Sequence, residues 1–195
     1  MWSFEKKQYK EGYCYIAGVD EAGRGPLAGP VVSAAVILPE SFDVPGVTDS
    51  KKIPPKKRAV LYKEIYKNAV SIGIGIVEHV EIDRINILQA SLHSMLIAVD
   101  NLKKVPDYLL IDGKFPIKSK IPQSTIIKGD SLSISIAAAS IIAKVTRDTI
   151  MEQYDLEYPQ YGFAKHKGYP TKAHREAILK YGACFIHRRS FKGVK

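Results

Sequence analysis

The chain of 195 residues carries 29 Lys and Arg against 20 Asp and Glu, a net charge of +9, with 46% hydrophobic and 25% charged residues. That balance excludes a disordered tail or a fibrous repeat and suits one globular domain able to bury about 70% of its unfolded surface. No window reaches the roughly 18 apolar residues of a membrane span, and the opening MWSFEKKQYKEGY has no apolar targeting core, so a cytoplasmic protein outside the membrane is expected.

The first apolar β-rich run, YIAGV at 15–19, leads straight into Asp20 and Glu21 and then a Gly-Arg-Gly turn. A second, VVSAAVIL at 31–38, follows closely enough to pair with it as a hairpin. A turn-rich stretch at 38–55 reads as a loop inside the domain. It gives way to a helix over 54–69, opened by prolines, with Val60, Leu61, Ile65 and Ala69 on one face. IGIGIV at 72–77 is a strand whose glycines mark an edge, a bulge or a close backbone approach. One helix is expected over 81–102, from Ile85, Leu88, Leu92, Met95, Leu96 and Val99 at helical spacing. Strands at 108–111 and 125–127 follow, then a helix over 130–154 capped by Asp or Ser, and a last helix over 171–182 between Thr171 and Gly182. The order implies a mixed α/β sheet of about five strands flanked by helices. It spans one domain, 1–195, with about 15–150 as core and about 151–195 as a C-terminal helical extension.

Cys14 and Cys184 have neither CxxC nor zinc spacing; reduced thiols are the default, and a single bridge between them stays open. The basic surplus suits phosphate-rich partners, although a merely solubilising surface would also carry it. Clustering at 51–58 (KKIPPKKR), 165–168 (KHKG) and 187–189 (HRR) favours nucleic acid.

Three of the expected strands end in acid: Asp20–Glu21, Asp112 and, through a short turn, Asp130. Carboxyl ends of neighbouring strands are where α/β sheets build sites. Converged carboxylates repel each other and call for a hard divalent cation such as Mg²⁺ or Mn²⁺. Two such ions about 3.5–4 Å apart can drive phosphodiester hydrolysis. Taken singly, each acid also fits a surface turn or a helix cap.

The stretch AGVDEAGRGPLAGPVVSAAVILP resembles the opening signature of ribonuclease HII, the type 2 RNase H family. VTDSKKIPPKKR, IDG at 111–113, IIKGDSLSISIAAASIIAKVTRD, HKGYPTKAH and HRRSF follow in the order that resemblance requires, over about residues 15–191. The GRG turn is similar to the HII variant rather than HIII, and DSKK and HRRSF look bacterial. The resemblance implies an RNase H-like fold. It also implies a metal-dependent endonuclease that cuts RNA–DNA hybrids and incises 5′ of ribonucleotides embedded in duplex DNA, leaving 3′-hydroxyl and 5′-phosphate ends. It carries the acidic set onto Asp20, Glu21, Asp112 and Asp130, with Asp148 as a supporting residue that could equally pair with Lys144 one turn away. It assigns detection of the 2′-hydroxyl to Gly23, Arg24 and Gly25, with Arg24 also near a backbone phosphate. The resemblance also implies that Tyr169 packs on the sugar that follows the ribonucleotide.

Lys51, Lys52, Lys144, His166 and Lys167 are candidate phosphate contacts. Ser140, Lys144 and Asp148 form a polar stripe at helical spacing; His93 and His174 read as plain helix residues. A monomer is expected. A related acidic-site DNA nuclease or a non-catalytic nucleic-acid-binding protein would share the charge pattern.

Overall fold

Strand β1 (Ile16–Ala22) pairs antiparallel with β2 (Val31–Ile37), and β3 (Ser71–Val77) adds antiparallel to the outer side of β2. On the other side β4 (Tyr108–Asp112) runs parallel to β1, and β5 (Gln123–Ile126) parallel to β4, giving the order β3-β2-β1-β4-β5. The computed structural model describes residues 1–194. Within them no helix is long and apolar enough to cross a membrane, and both cysteine thiols are free, which closes the question of a bridge.

Register places the acids. Val19 pairs with Ile111, so the next step along two parallel strands sets Asp20 beside Asp112, and Asp112 pairs with Ile126 of β5. β1 is longer than the apolar run suggests. Its pairing with β2 continues to Ala22 opposite Val32, so Asp20 and Glu21 are strand residues rather than the start of a turn.

One face of the sheet is covered by α2 (Pro55–Asn68) and α5 (Ile134–Glu157), packed on Ala34 and Val36; the other by α4 (Ile87–Asp100), packed on Ala17, Val19, Ala35 and Ile37. Glycine lets these helices lie close. A Cβ on Gly18 would run into the Ser135 backbone of α5, and one on Gly73 or Gly75 into the Ala98 or Ser94 carbonyl of α4. The IGIGIV glycines therefore mark both an edge strand and a close backbone approach.

Three elements differ from expectation. The helix foreseen over 81–102 breaks at Asn86, which adopts a φ of 70° and caps α4 by accepting from the Leu88 and Gln89 N–H groups. The preceding turns form a separate helix, α3 (His79–Ile85). Ser133, not Asp130, caps α5; Asp130 sits in a short 3-10 turn, Gly129–Ser131, just before it. Residues Ser3–Lys10, unassigned from sequence, form α1. Their anchor is Glu5, whose buried carboxylate accepts from the Ser133 and Ser135 hydroxyls and the Ser135 N–H at the positive end of α5. Beyond α5 the chain forms α6 (Phe163–His166) and α7 (Lys172–Tyr181), and a tail bridges back to the loop before β2 through Ala28 and His187.

Gly75→Ala forces a methyl group into the α4 backbone, which a flexible side chain cannot relieve. It is expected to lower stability by about 2–3 kcal/mol, read as a lower urea midpoint; an unchanged midpoint would contradict the packing described.

Candidate active site

A cleft of about 350 Å³ opens at the carboxyl ends of β1 and β4, lined by Glu21, Ala22, Gly23, Arg24, Gly25, Ser50, Lys51, Asp112, Ser140, Lys144 and Tyr169. Asp20 and Asp130 are buried and do not line it, although Asp20 adjoins Glu21 and Asp130 acts on Asp112.

The acids feel one another. Burial raises the Asp20 pKa well above the usual carboxylate range, and Glu21 and Asp112 push it further, against a restraining Ser140 hydroxyl and the Glu21 N–H at 2.7 Å. Burial also raises Asp112, with Asp130 adding to it and the Gly129 N–H, 2.7 Å from Oδ1, pulling the other way. Glu21 is raised by burial and by Asp112 although Arg24, 3.3 Å from its Oε1, opposes the shift. Lys51 faces the group: burial lowers its pKa, but Asp20, Asp130 and Asp49 together outweigh that and raise it.

The donor set is entirely oxygen, which suits a hard cation such as Mg²⁺ or Mn²⁺. Among the described residues no three His, Cys, Asp or Glu side chains converge as a ready chelate. Mg²⁺ does not require one, since it is held by one or two carboxylates plus water and substrate phosphate.

The walls come from three segments. The turn Ser50–Lys52 is held by Arg58, which is buried and donates to the Ser50 and Ile53 carbonyls while its guanidinium lies 3.6 Å from Asp148. The Ser50 hydroxyl bonds Ser140 of α5 at 2.9 Å, and Lys144 pairs with Asp148 at 2.7 Å, as the helical spacing allowed. Tyr169 lies over Gly25, where an added Cβ would sit 3.5 Å from its ring.

The other candidate phosphate contacts lie outside this lining. Lys52 is exposed beside Asp49, and Lys167 pairs with Glu152 at 2.7 Å. Both His166 ring nitrogens are committed, Nε2 to the Tyr161 carbonyl and Nδ1 to the Gly168 N–H. Arg24 turns back onto Glu21.

Sequence reasoning missed the residues beneath the cleft. Arg147 and Arg188 are almost wholly buried, although 187–189 reads as a surface cluster; His187 is buried as well, and only Arg189 is exposed. No spacing rule separates a buried Arg from an exposed one. His174 is not a plain helix residue either. Cys184 N–H donates to His187 Nδ1 at 3.0 Å, His187 Nε2 lies 3.1 Å from His174 Nε2, and His174 Nδ1 reaches the Tyr169 carbonyl at 2.9 Å. One neutral tautomer set satisfies the whole run: His187 protonated on Nε2 and His174 on Nδ1.

A family model described as Ribonuclease HII matches residues 17–194. The chain is 59% identical over 192 residues to the ribonuclease HII of Syntrophus aciditrophicus (strain SB), covering 98% of this chain and 91% of that protein. It is 57% identical over 195 residues to that of Geobacter sulfurreducens, covering 100% and 90%. The crystal structure of the ribonuclease H2 from Pyrococcus horikoshii OT3 superposes with a TM-score of 0.77 at 28% identity, over 93% of this chain and 95% of that one.

Removing one buried negative charge from the cluster relieves repulsion. Asp20→Asn is therefore expected to raise stability by about 1 kcal/mol in chelator at pH 8; thermal unfolding of the two proteins checks it, and a lower melting temperature in the variant would contradict it. The histidines set an acid limit. Burial lowers both, and with His174 opposing its charge His187 falls to about 4. Because the unfolded value is about 6.5, the unfolded chain binds the extra protons as pH falls. The stability they contribute is complete above that value and is lost from there down to about 4. The urea midpoint of the natural chain should fall more steeply through this window than that of His187→Gln; parallel slopes would refute the account.

Proposed function

Since the chain belongs to the ribonuclease HII family, and so is a metal-dependent ribonuclease H, a hydrolase, we propose that it incises duplex DNA 5′ of embedded ribonucleotides as well as cutting RNA–DNA hybrids. The products are a 3′-hydroxyl and a 5′-phosphate. The feature that carries this reading is the register that sets Asp20 and Glu21 of β1 against Asp112 of β4, at a cleft otherwise walled by Lys51, Lys144 and a glycine turn. Asp20, Glu21, Asp112 and Asp130 would hold Mg²⁺ or Mn²⁺. The chemistry supplied there would be Lewis-acid activation of a water and stabilisation of the leaving oxygen.

The chain's own groups do the rest. Lys51 and Lys144 attract the phosphates that flank the scissile bond and add affinity without sequence preference. Arg24 is free to exchange Glu21 for a phosphate when a cation takes over the carboxylate, because its side chain is half exposed. Gly23, Arg24 and Gly25 bring main chain close enough to read a 2′-hydroxyl, the group that separates RNA from DNA. The Tyr169 ring, beside Gly25, packs on the neighbouring sugar and favours deoxyribose there. We read the chain as one catalytic domain, with residues 151–194 contributing to substrate contact, acting as a monomer in the cytoplasm.

A labelled duplex carrying one ribonucleotide tests the reading. Incision on its 5′ side with Mg²⁺ or Mn²⁺, none on all-DNA duplex and none in chelator are the expected results. Efficient cutting of all-DNA would sink it. Asp112→Asn should lower the rate at least about a hundredfold while duplex binding persists, and Tyr169→Ala should slow junction incision with metal affinity unchanged.

A further inference from the structure

The loop that leaves β1 is held from below by a side chain that arrives from the far end of the chain. Arg188 donates from Nε to the Gly29 carbonyl, from Nη1 to those of Arg24 and Pro26, and from Nη2 to those of Gly23 and Pro30. A guanidinium has five N–H donors, and all are spent on this one loop. Arg147 adds bonds to Ala28 and Pro30, and the Arg188 N–H takes the Leu27 carbonyl. Among the described residues, every carbonyl from Gly23 to Pro30 accepts a hydrogen bond except that of Gly25, which lines the cleft beside Tyr169.

This is a costly way to brace a loop. Arg188 is 0% exposed and, among the described residues, pairs with no carboxylate, whereas a hydrophobic side chain of similar volume would spare the desolvation. Asp83, the acid whose charge reaches it, is occupied by the Arg189 and Ser190 N–H groups and the Ser190 hydroxyl. Those bonds, with the Ala28–His187 bridge, fix the tail on both sides of Arg188. What the guanidinium supplies that an apolar residue cannot is direction: it turns a run of carbonyls inward.

We propose that Arg188 is a positioning residue for substrate selection, setting the backbone of Gly23–Gly25 so that the cleft presents one unpaired carbonyl, that of Gly25, to a sugar hydroxyl. The proposal rests on the reading of the turn given above. A 2′-hydroxyl donates and accepts, whereas fluorine in its place cannot donate. A site built around a carbonyl acceptor therefore penalises the fluoro sugar, and a site whose turn has slackened does not.

The experiment compares kcat/KM on duplexes carrying a single ribonucleotide or its 2′-fluoro counterpart, for the natural chain, Arg188→Lys, Arg188→Met and Ile178→Ala. Ile178 is buried in the C-terminal cluster and its side chain makes none of these hydrogen bonds, so its variant reports loss of packing with every donor kept. The fluoro penalty is expected to shrink at least about fivefold in both Arg188 variants and to keep its natural value in Ile178→Ala. A lysine, with three donors on one atom, cannot serve so many carbonyls, so Arg188→Lys gives the answer if Arg188→Met fails to fold. An unchanged penalty in a folded Arg188 variant, with overall rates merely lowered, overturns the positioning role while leaving the nuclease reading intact. Natural protein that incises neither duplex, or both equally, overturns the reading of the turn and the proposal with it.

Discussion

Asp20, Glu21 and Asp112 repel one another in a partly dry cleft, and much of the surrounding architecture keeps them there against that repulsion. Parallel pairing of β1 with β4 fixes the spacing of two of them, because a strand in register cannot slip by one residue without turning its core face outward. The antiparallel partner β2 extends β1 far enough to keep Glu21 on a rigid ladder. Hydrogen bonds from the Gly129 and Glu21 N–H groups then absorb part of the charge.

Positive charge is divided between two tasks that composition alone merges. Lys51 and Lys144 stand in the cleft with carboxylates near at hand. Arg58, Arg147 and Arg188 are interior residues that spend their donors on backbone carbonyls. Burial, with Arg147 close by, lowers the Arg188 pKa to about 9, so it stays charged at neutral pH. The net charge therefore overstates what the surface offers a polyanion.

The sheet and the acidic end were legible because both follow from local pattern. Apolar runs of strand length mark β1, β2 and β4 whatever surrounds them, and an acid directly after such a run stays at the strand's carboxyl end in any α/β arrangement. Asn86 was opaque because apolar periodicity runs through it unbroken; only its positive φ and its capping bonds reveal the break. α1 was opaque because its anchor, Glu5, finds its partners on a helix more than a hundred residues away. The same is true of Arg188, which is chemically identical to its exposed neighbour Arg189 until the tail is folded.

The clasp on the loop also sets a schedule. Gly23 leaves the ribosome 165 residues before Arg188, which holds its carbonyl. Domains fold as their residues emerge, but a contact of this separation cannot form until Arg188 itself has been made. During synthesis the acids can already be gathered on their strands while the turn above them still lacks its underpinning. A nascent chain would thus hold a charged but unfinished cleft until Arg188 has emerged and folded back onto the loop.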